Sequence, residues 1–237
     1  MPLFCSNSGR PYSSRPLKKL IMEKINPKTI SILVLAILYL VGALGIGLQL
    51  FSGIEGLTSL HLFISFVFLV YWHEKKHIKF WLWIITAYVI GSLVEYLGVQ
   101  YGFLFGSYEY GPNMEPTVLG TPVIIGINWI LVSYCFTFVL AKWLFNKVKM
   151  VALAIISAVF MTAFDVLIEP VAIALDFWSW AGVSVPWTNY TGWLVVSFVI
   201  NYLFLRLNIH QSKNPLAIWI LIFQLFFFIF VYLTRVS

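Results

Sequence analysis

Seven long apolar runs alternate with short polar segments along most of this chain, at about 29–51, 56–72, 79–104, 119–142, 149–175, 189–206 and 215–234. A helix needs roughly 20 apolar residues to cross the hydrocarbon of a bilayer. The pattern therefore predicts an all-α, polytopic transmembrane bundle of about seven spans. The segments between the runs alternate in charge. Lys75, Lys76 and Lys79 follow the second run, Lys142, Lys147 and Lys149 the fourth, and Arg206 and Lys213 the sixth. The opposite loops carry Glu55, then Glu109 and Glu115, then Asp176, with no Lys or Arg. By the positive-inside rule the N-terminus is expected in the cytoplasm and the C-terminus outside, with Arg235 alone against the trend. Residues 1–28 form a basic tail (Arg10, Arg15, Lys18, Lys19, Lys24 and Lys28 against Glu23), expected to be disordered. Residues 29–237 are expected to make a single transmembrane domain. No secretory signal is visible, because the first apolar run begins only at Thr29 and is long enough to span. Met22 opens a short conventional tail and is the expected start of translation.

Composition fixes the class. Of 237 residues, 61% are hydrophobic and 10% charged, and the mean hydropathy is +0.91. Soluble domains carry about 25% charged residues, so this is an integral membrane protein, expected in a bacterial cytoplasmic membrane. The net charge of +6 sits in the loops as topology signals do, so no nucleic-acid partner is indicated. Cys5 and Cys135 lie far apart with no metal-type spacing, and neither a disulfide framework nor a zinc site is indicated.

Acids inside the spans carry the candidate chemistry. Asp165 and Glu169 stand four apart in the fifth run, on one helical face, and no Lys or Arg lies between Met150 and Leu175. A carboxylate at membrane depth costs about 3 kcal/mol on insertion scales, so the pair reads as a functional site before it reads as a structural staple. Pro170 follows directly, frees the carbonyl of Val166 and is expected to kink the helix beside the acids. Glu95 lies in the third run with Gly91 and Gly98 on its face, and Gly102 and Gly106 continue that spacing; small residues let helices approach, which turns Glu95 into the bundle. Counted at 1.5 Å per residue, Glu95 and Asp165 both lie roughly 24 Å from the cytoplasmic ends of their spans, and Asn128 and Trp129 roughly 14 Å from the outer end of theirs. One shared layer near the outer leaflet suggests one site.

Other polar residues have plainer readings. Tyr108 and Tyr110 sit in a turn-rich loop as interface anchors, and Glu109 between them is solvated. Trp178, Trp180 and Trp187 read first as an aromatic belt, and second as rings at the site entrance that favour a developing cation. His61, near the outer end of the second run, has the chemistry to shuttle protons but reads first as incidental, and His73 and His77 belong to a charged cytoplasmic turn without a third metal ligand. Asn189-Tyr190-Thr191 matches a glycosylation acceptor but adjoins a span, and Asn128 and Asn201 read as interhelical hydrogen bonds or water holders.

The seventh run has no Lys for a retinal Schiff base, and no phosphate loop, His-rich iron cluster or Asp-rich prenyl diphosphate motif occurs. Neighbouring buried carboxyls share protons and supply a general acid beside a general base. Such a chamber suits hydration of an isolated alkene in a lipid-soluble substrate, with no metal or other cofactor.

Several short motifs point the same way: Gly120-Thr121-Pro122 leading to Asn128-Trp129, Asp165 to Glu169-Pro170, Asp176 to Trp180, Pro186 to Tyr190 with Trp193, and Glu95 with the loop Gly106 to Gly111. In this order they resemble the carotenoid 1′,2′-hydratases of bacteria and archaea, over about the third to the sixth run. The resemblance implies a carbon-oxygen hydro-lyase that adds water across the terminal C1′=C2′ bond of a carotenoid ψ end, giving a tertiary 1′-hydroxyl. Related proteins act on γ-carotene or lycopene, or on bisanhydrobacterioruberin. It also implies an acyclic or monocyclic carotenoid as partner, taken up from membrane lipid, with other carotenoid-synthesis enzymes nearby. Asp165, Glu169 and Glu95 are the expected catalytic residues, with Asp165 favoured as the acid and the base left open between the other two. Asn128, Trp129, Tyr108, Trp178, Trp180, Asn189 and Tyr190 are the expected substrate-binding residues. A proton-coupled transporter and a non-catalytic scaffold for pigment enzymes are the alternatives, since proton relays also use intramembrane acids.

Overall fold

The computed structural model describes residues 26–182 and 184–237. Seven helices run through them: α1 (Pro27–Gly47), α2 (Thr58–Trp72), α3 (Ile78–Tyr101), α4 (Val123–Leu144), α5 (Met150–Ala174), α6 (Trp187–Arg206) and α7 (Ala217–Arg235). Six of them are long and apolar enough to cross a membrane, α2 together with the 3₁₀ turn Ile54–Leu57 before it. The sixth helix has 20 residues, but Asn189, Tyr190, Thr191 and Asn201 dilute its apolar surface. The protein is an all-α polytopic membrane protein, and each expected span corresponds to one helix. Most of the basic tail, with Cys5 and Met22, lies outside the described residues. Asn26 caps α1, its side-chain oxygen accepting from Lys28 N at 3.0 Å, and Pro27 occupies the first turn, where its missing N–H costs nothing.

Helix α4 is the centre. Apart from Asn128, and Lys142 in its last turn, it is apolar or small-residued around its circumference, the pattern of a helix buried on every side. It packs on α3, α5, α2, α7 and α6, while α1 leans on α7, and α6 lies along α5. α5 is continuous across Pro170 and buries both Asp165 and Glu169.

The third span is shorter than its glycine spacing suggested. α3 ends at Tyr101, and Gly102 caps it in the left-handed region at φ +62°, so Gly102 and Gly106 lie beyond the helix and take no part in a small-residue face. Gly91 and Gly98 do face a neighbour, and each makes room for one side chain: a Cβ would lie 2.6 Å from Trp129 at Gly91 and 2.8 Å from the Tyr108 hydroxyl at Gly98.

Two segments about 70 residues apart form a ribbon at one end of the bundle. Strand β1 (Tyr108–Tyr110) follows α3; a small pair, β2 (Thr117–Val118) with β3 (Thr121–Pro122), precedes α4; β4 (Trp178–Trp180) follows α5. β1 and β4 are antiparallel, with Tyr108 opposite Trp180 and Tyr110 opposite Trp178. Strand alternation puts these four rings on one face and Glu109 and Ser179, both exposed, on the other.

His73 departs from its charged-turn reading. It is buried against the end of α2, stacks on Phe80 at 4.0 Å, and its Nδ1 lies 2.6 Å from the Tyr134 hydroxyl, which also accepts from Asn214. Burial, and then the nearby Lys76 and His77, push its pKa down to about 4. Neutral His73 is thus the folded form, and the unfolded chain binds the extra proton between pH 6.5 and 4. The stability it contributes is complete above pH 6.5 and is lost as pH falls towards 4. Thermal unfolding in detergent is expected to show a midpoint that drops from pH 7 to pH 5, with a shallower drop in His73→Gln.

Candidate active site

Glu95 of α3, and Asp165 and Glu169 of α5, line one small cavity beneath the β1–β4 ribbon, with Asn189 of α6. Its volume is about 30 Å³, room for a water or two. Asn128, Ile125, Ile168, Phe105, Trp193 and the four ribbon rings complete its walls. The acids that the depth count put in one layer are therefore neighbours in space.

Each carboxylate is held differently. Glu95, 5% exposed, accepts from both tyrosine hydroxyls of the ribbon, Tyr108 and Tyr110 (the latter at 2.7 Å), through Oε2, and from Trp129 Nε1 at 2.9 Å through Oε1. Glu169 accepts from Trp178 Nε1 at 3.0 Å and Trp180 Nε1 at 2.9 Å through Oε2, and from Asn189 Nδ2 at 3.1 Å through Oε1. The same Asn189 nitrogen donates to Asp165 Oδ2 at 2.8 Å, so its two hydrogens bridge the two acids. Asp165 is fully buried, and its Oδ1 has no hydrogen-bond partner among the described residues. Six donor groups thus converge on Glu95 and Glu169, and one of these serves Asp165.

The donors are chosen by chemistry. Indole N–H groups only donate, so the oxygens facing them act as acceptors. Burial, and next the charge of Glu95, hold both ribbon phenols well above the ordinary tyrosine range, so they remain protonated donors. Tyr108 and Tyr110 are consequently ligands of a buried carboxylate and not interface anchors, and Trp178 and Trp180 belong to the chamber. Trp187, 83% exposed, keeps the belt position.

The remaining expected residues divide. Trp129 is completely buried behind Glu95 and stacks on Trp193 at 4.3 Å, so it supports the wall without forming it. Asn128 borders the cavity. Tyr190 lies outside it, with its ring against Trp187 at 5.9 Å. Asn201 is buried on α6 and donates to Met161 Sδ at 3.3 Å. Sequence reasoning gave Tyr110 and Trp193 no part in the site; the alternation Tyr-Glu-Tyr against Trp-Ser-Trp was the available signal for the ribbon face. Among the described residues, no three His, Cys, Asp or Glu side chains are gathered closely enough to hold a metal ion.

A second, larger cavity of about 200 Å³ adjoins the first, and Ile125, Asn128, Ile168 and Trp178 border both. It lies among α1, α2, α4, α5 and α7, and its lining includes Val41, Leu57 and Leu60, each at least half exposed on the outer surface of the bundle. The small polar chamber thus backs onto an apolar groove that reaches the lipid-facing surface.

Each ribbon indole supplies one of the two bonds to Glu169 Oε2, and losing one hydrogen bond to a buried carboxylate costs about 1.5–3 kcal/mol. Trp178→Phe and Trp180→Phe are each expected to lower the thermal midpoint in detergent, and Trp187→Phe to leave it unchanged. Equal midpoints for all three would remove the ribbon indoles from the support of Glu169.

The chain is similar to a bisanhydrobacterioruberin hydratase of the archaeon Haloarcula japonica, 28% identical over 130 residues, which cover 51% of this chain and 42% of that protein. The chain thus matches less than half the length of that relative. No solved structure matches it. The family model described as "Carotenoid biosynthesis protein" matches residues 56–237, well over half of the sequence, and by that match the chain belongs to the family of carotenoid biosynthesis proteins.

Proposed function

We propose that this protein is a carotenoid hydratase that adds water to the terminal C1′=C2′ bond of a ψ end, with Asp165 as general acid and Glu169 as general base. One observation carries the assignment. Glu95 and Glu169 are each clasped by three donors, the coordination of an anion, whereas Asp165 accepts one bond and presents a buried, unpartnered oxygen beside the cavity. That oxygen is where a proton is best carried. Family membership and the similarity to the Haloarcula hydratase support a carotenoid as substrate.

In this reading the polyene lies in the apolar groove and its end passes between Ile125, Asn128, Ile168 and Trp178 to the carboxylates. Asp165 gives its proton to C2′, and the π electrons form the new C–H bond, leaving a tertiary cation at C1′. The fixed charges of Glu95 and Glu169 and the faces of the ribbon rings stabilise that cation, with little reorganisation because their donors are already in place. Water attacks C1′, and Glu169 takes one of its protons. That proton returns to Asp165 through cavity water, which leaves the enzyme unchanged and the product heavier by one H₂O. The Lys-bearing loops facing the cytoplasm would set the chamber towards the outer side of the membrane, with the N-terminus cytoplasmic.

The test is co-expression in a bacterium engineered to make lycopene or γ-carotene, with pigments separated by chromatography and weighed. Wild type is expected to give a product one water heavier. Asp165→Asn is expected to lower its yield at least 100-fold at equal protein level, the scale of general acid catalysis, and Glu95→Gln to lower it less. Unchanged pigment from well-expressed wild type, on these substrates and on a C50 diene, would discard the hydratase and favour a transport role for the acids.

A further inference from the structure

The larger cavity carries two polar side chains that hydration of a pure hydrocarbon leaves idle. Its walls are mostly aliphatic and aromatic, from Leu38 and Ile46 on α1 to Phe227 and Phe228 on α7. Thr58 and His61 of α2, Asn128 of α4 and Gln224 of α7 break that lining. Gln224 is 3% exposed, and neither its Oε1 nor His61 Nε2 has a hydrogen-bond partner among the described residues, although both atoms are buried. Tyr39, whose ring meets His61 edge-on at 4.1 Å, gives them nothing, since its hydroxyl pairs with Ser65 at 3.3 Å. Buried polar atoms in folded proteins nearly all have partners, so two orphans on one apolar cavity mark atoms that a ligand completes.

We propose that this groove is the polyene-binding channel and that Gln224 and His61 form a subsite for one hydroxyl group on the bound carotenoid. The proposal rests on the carotenoid reading above. Each atom suits a hydroxyl: the amide oxygen of Gln224 accepts its hydrogen, and the imidazole N–H of His61, in the Nε2-protonated tautomer, donates to its oxygen. A hydrocarbon leaves both groups desolvated and unpaired, and sites built to bond a hydroxyl discriminate against the analogue that lacks it. The preferred ligand is therefore a carotenoid already oxygenated close to its reacting end, so an earlier oxygenating or hydrating step must supply it.

Binding, and not turnover, tests this. The full chain in lipid nanodiscs is titrated with acyclic polyenes sharing one ψ end, either hydrocarbon or bearing a single hydroxyl at successive isoprene units. Quenching of tryptophan fluorescence reads the dissociation constant, with Trp178 on the cavity wall. One hydroxyl position is expected to bind about tenfold tighter than the hydrocarbon, which corresponds to about 1.4 kcal/mol. Gln224→Met and His61→Phe are each expected to remove that preference while leaving hydrocarbon affinity within about twofold. The idea is overturned if no hydroxyl position gains affinity, if the preference survives in both variants, or if no polyene binds. Binding with the preference but no hydration of any ligand would reject the catalytic reading and keep the subsite; hydration without the preference would do the reverse.

Discussion

Three carboxylates inside one apolar bundle must be given hydrogen-bond donors, and most of the site's architecture meets that demand. None of the three is hydrogen-bonded to a lysine or arginine among the described residues; indoles, phenols and one carboxamide do the work instead. Such neutral donors stabilise charge without cancelling it. In the proposed mechanism, whatever negative charge the acids carry is left unquenched by any ion pair and is available to a cationic intermediate. The glycines at 91 and 98 follow from the same demand, since they admit Trp129 and Tyr108 to Glu95.

In the proposed mechanism, the uneven distribution of donors is what separates the roles of the acids. Glu95 and Glu169 are saturated, and Asp165 is not. Asn189 ties the unsaturated acid to one of the saturated ones, so proton gain at one is felt at the other. In the same proposal, the apolar groove behind Asn128 and Trp178 supplies the other requirement, a dry path from lipid for a long hydrocarbon. Polar chamber and apolar groove share a wall, which is the geometry a reaction between water and an alkene calls for.

Much of this was legible in the sequence, for physical reasons that also mark where legibility ends. Apolar runs announce helices because lipid leaves the backbone no alternative, and the rise per residue was enough to bring Glu95 and Asp165 to one depth. Loops obey no such constraint. The pairing of Tyr108–Tyr110 with Trp178–Trp180 joins segments about 70 residues apart, each too short to announce a strand, so Tyr108, Trp178 and Trp180 were expected at the site while their bonds to Glu95 and Glu169, and Tyr110 altogether, stayed hidden. Gly102 misled because its spacing continued a helical face, while its left-handed backbone ends the helix. His73 sat in a lysine-rich turn, and nothing local showed that Phe80 and Tyr134 would bury it. Gln224 looked like one polar residue in an apolar run, and only the packing of α1, α2 and α7 sets it on a cavity with His61.

Isotopic labelling of the product tests the central claim most directly. Purified protein in nanodiscs, given a ψ-ended carotene in D₂O, should yield an alcohol with one non-exchangeable deuterium at C2′; in H₂¹⁸O the tertiary hydroxyl should carry the heavy oxygen. Both labels together mean proton transfer to the alkene followed by capture of the cation by water. An alcohol that takes up ¹⁸O without deuterium at C2′, or no labelled alcohol at all, would contradict acid-first hydration by these carboxylates.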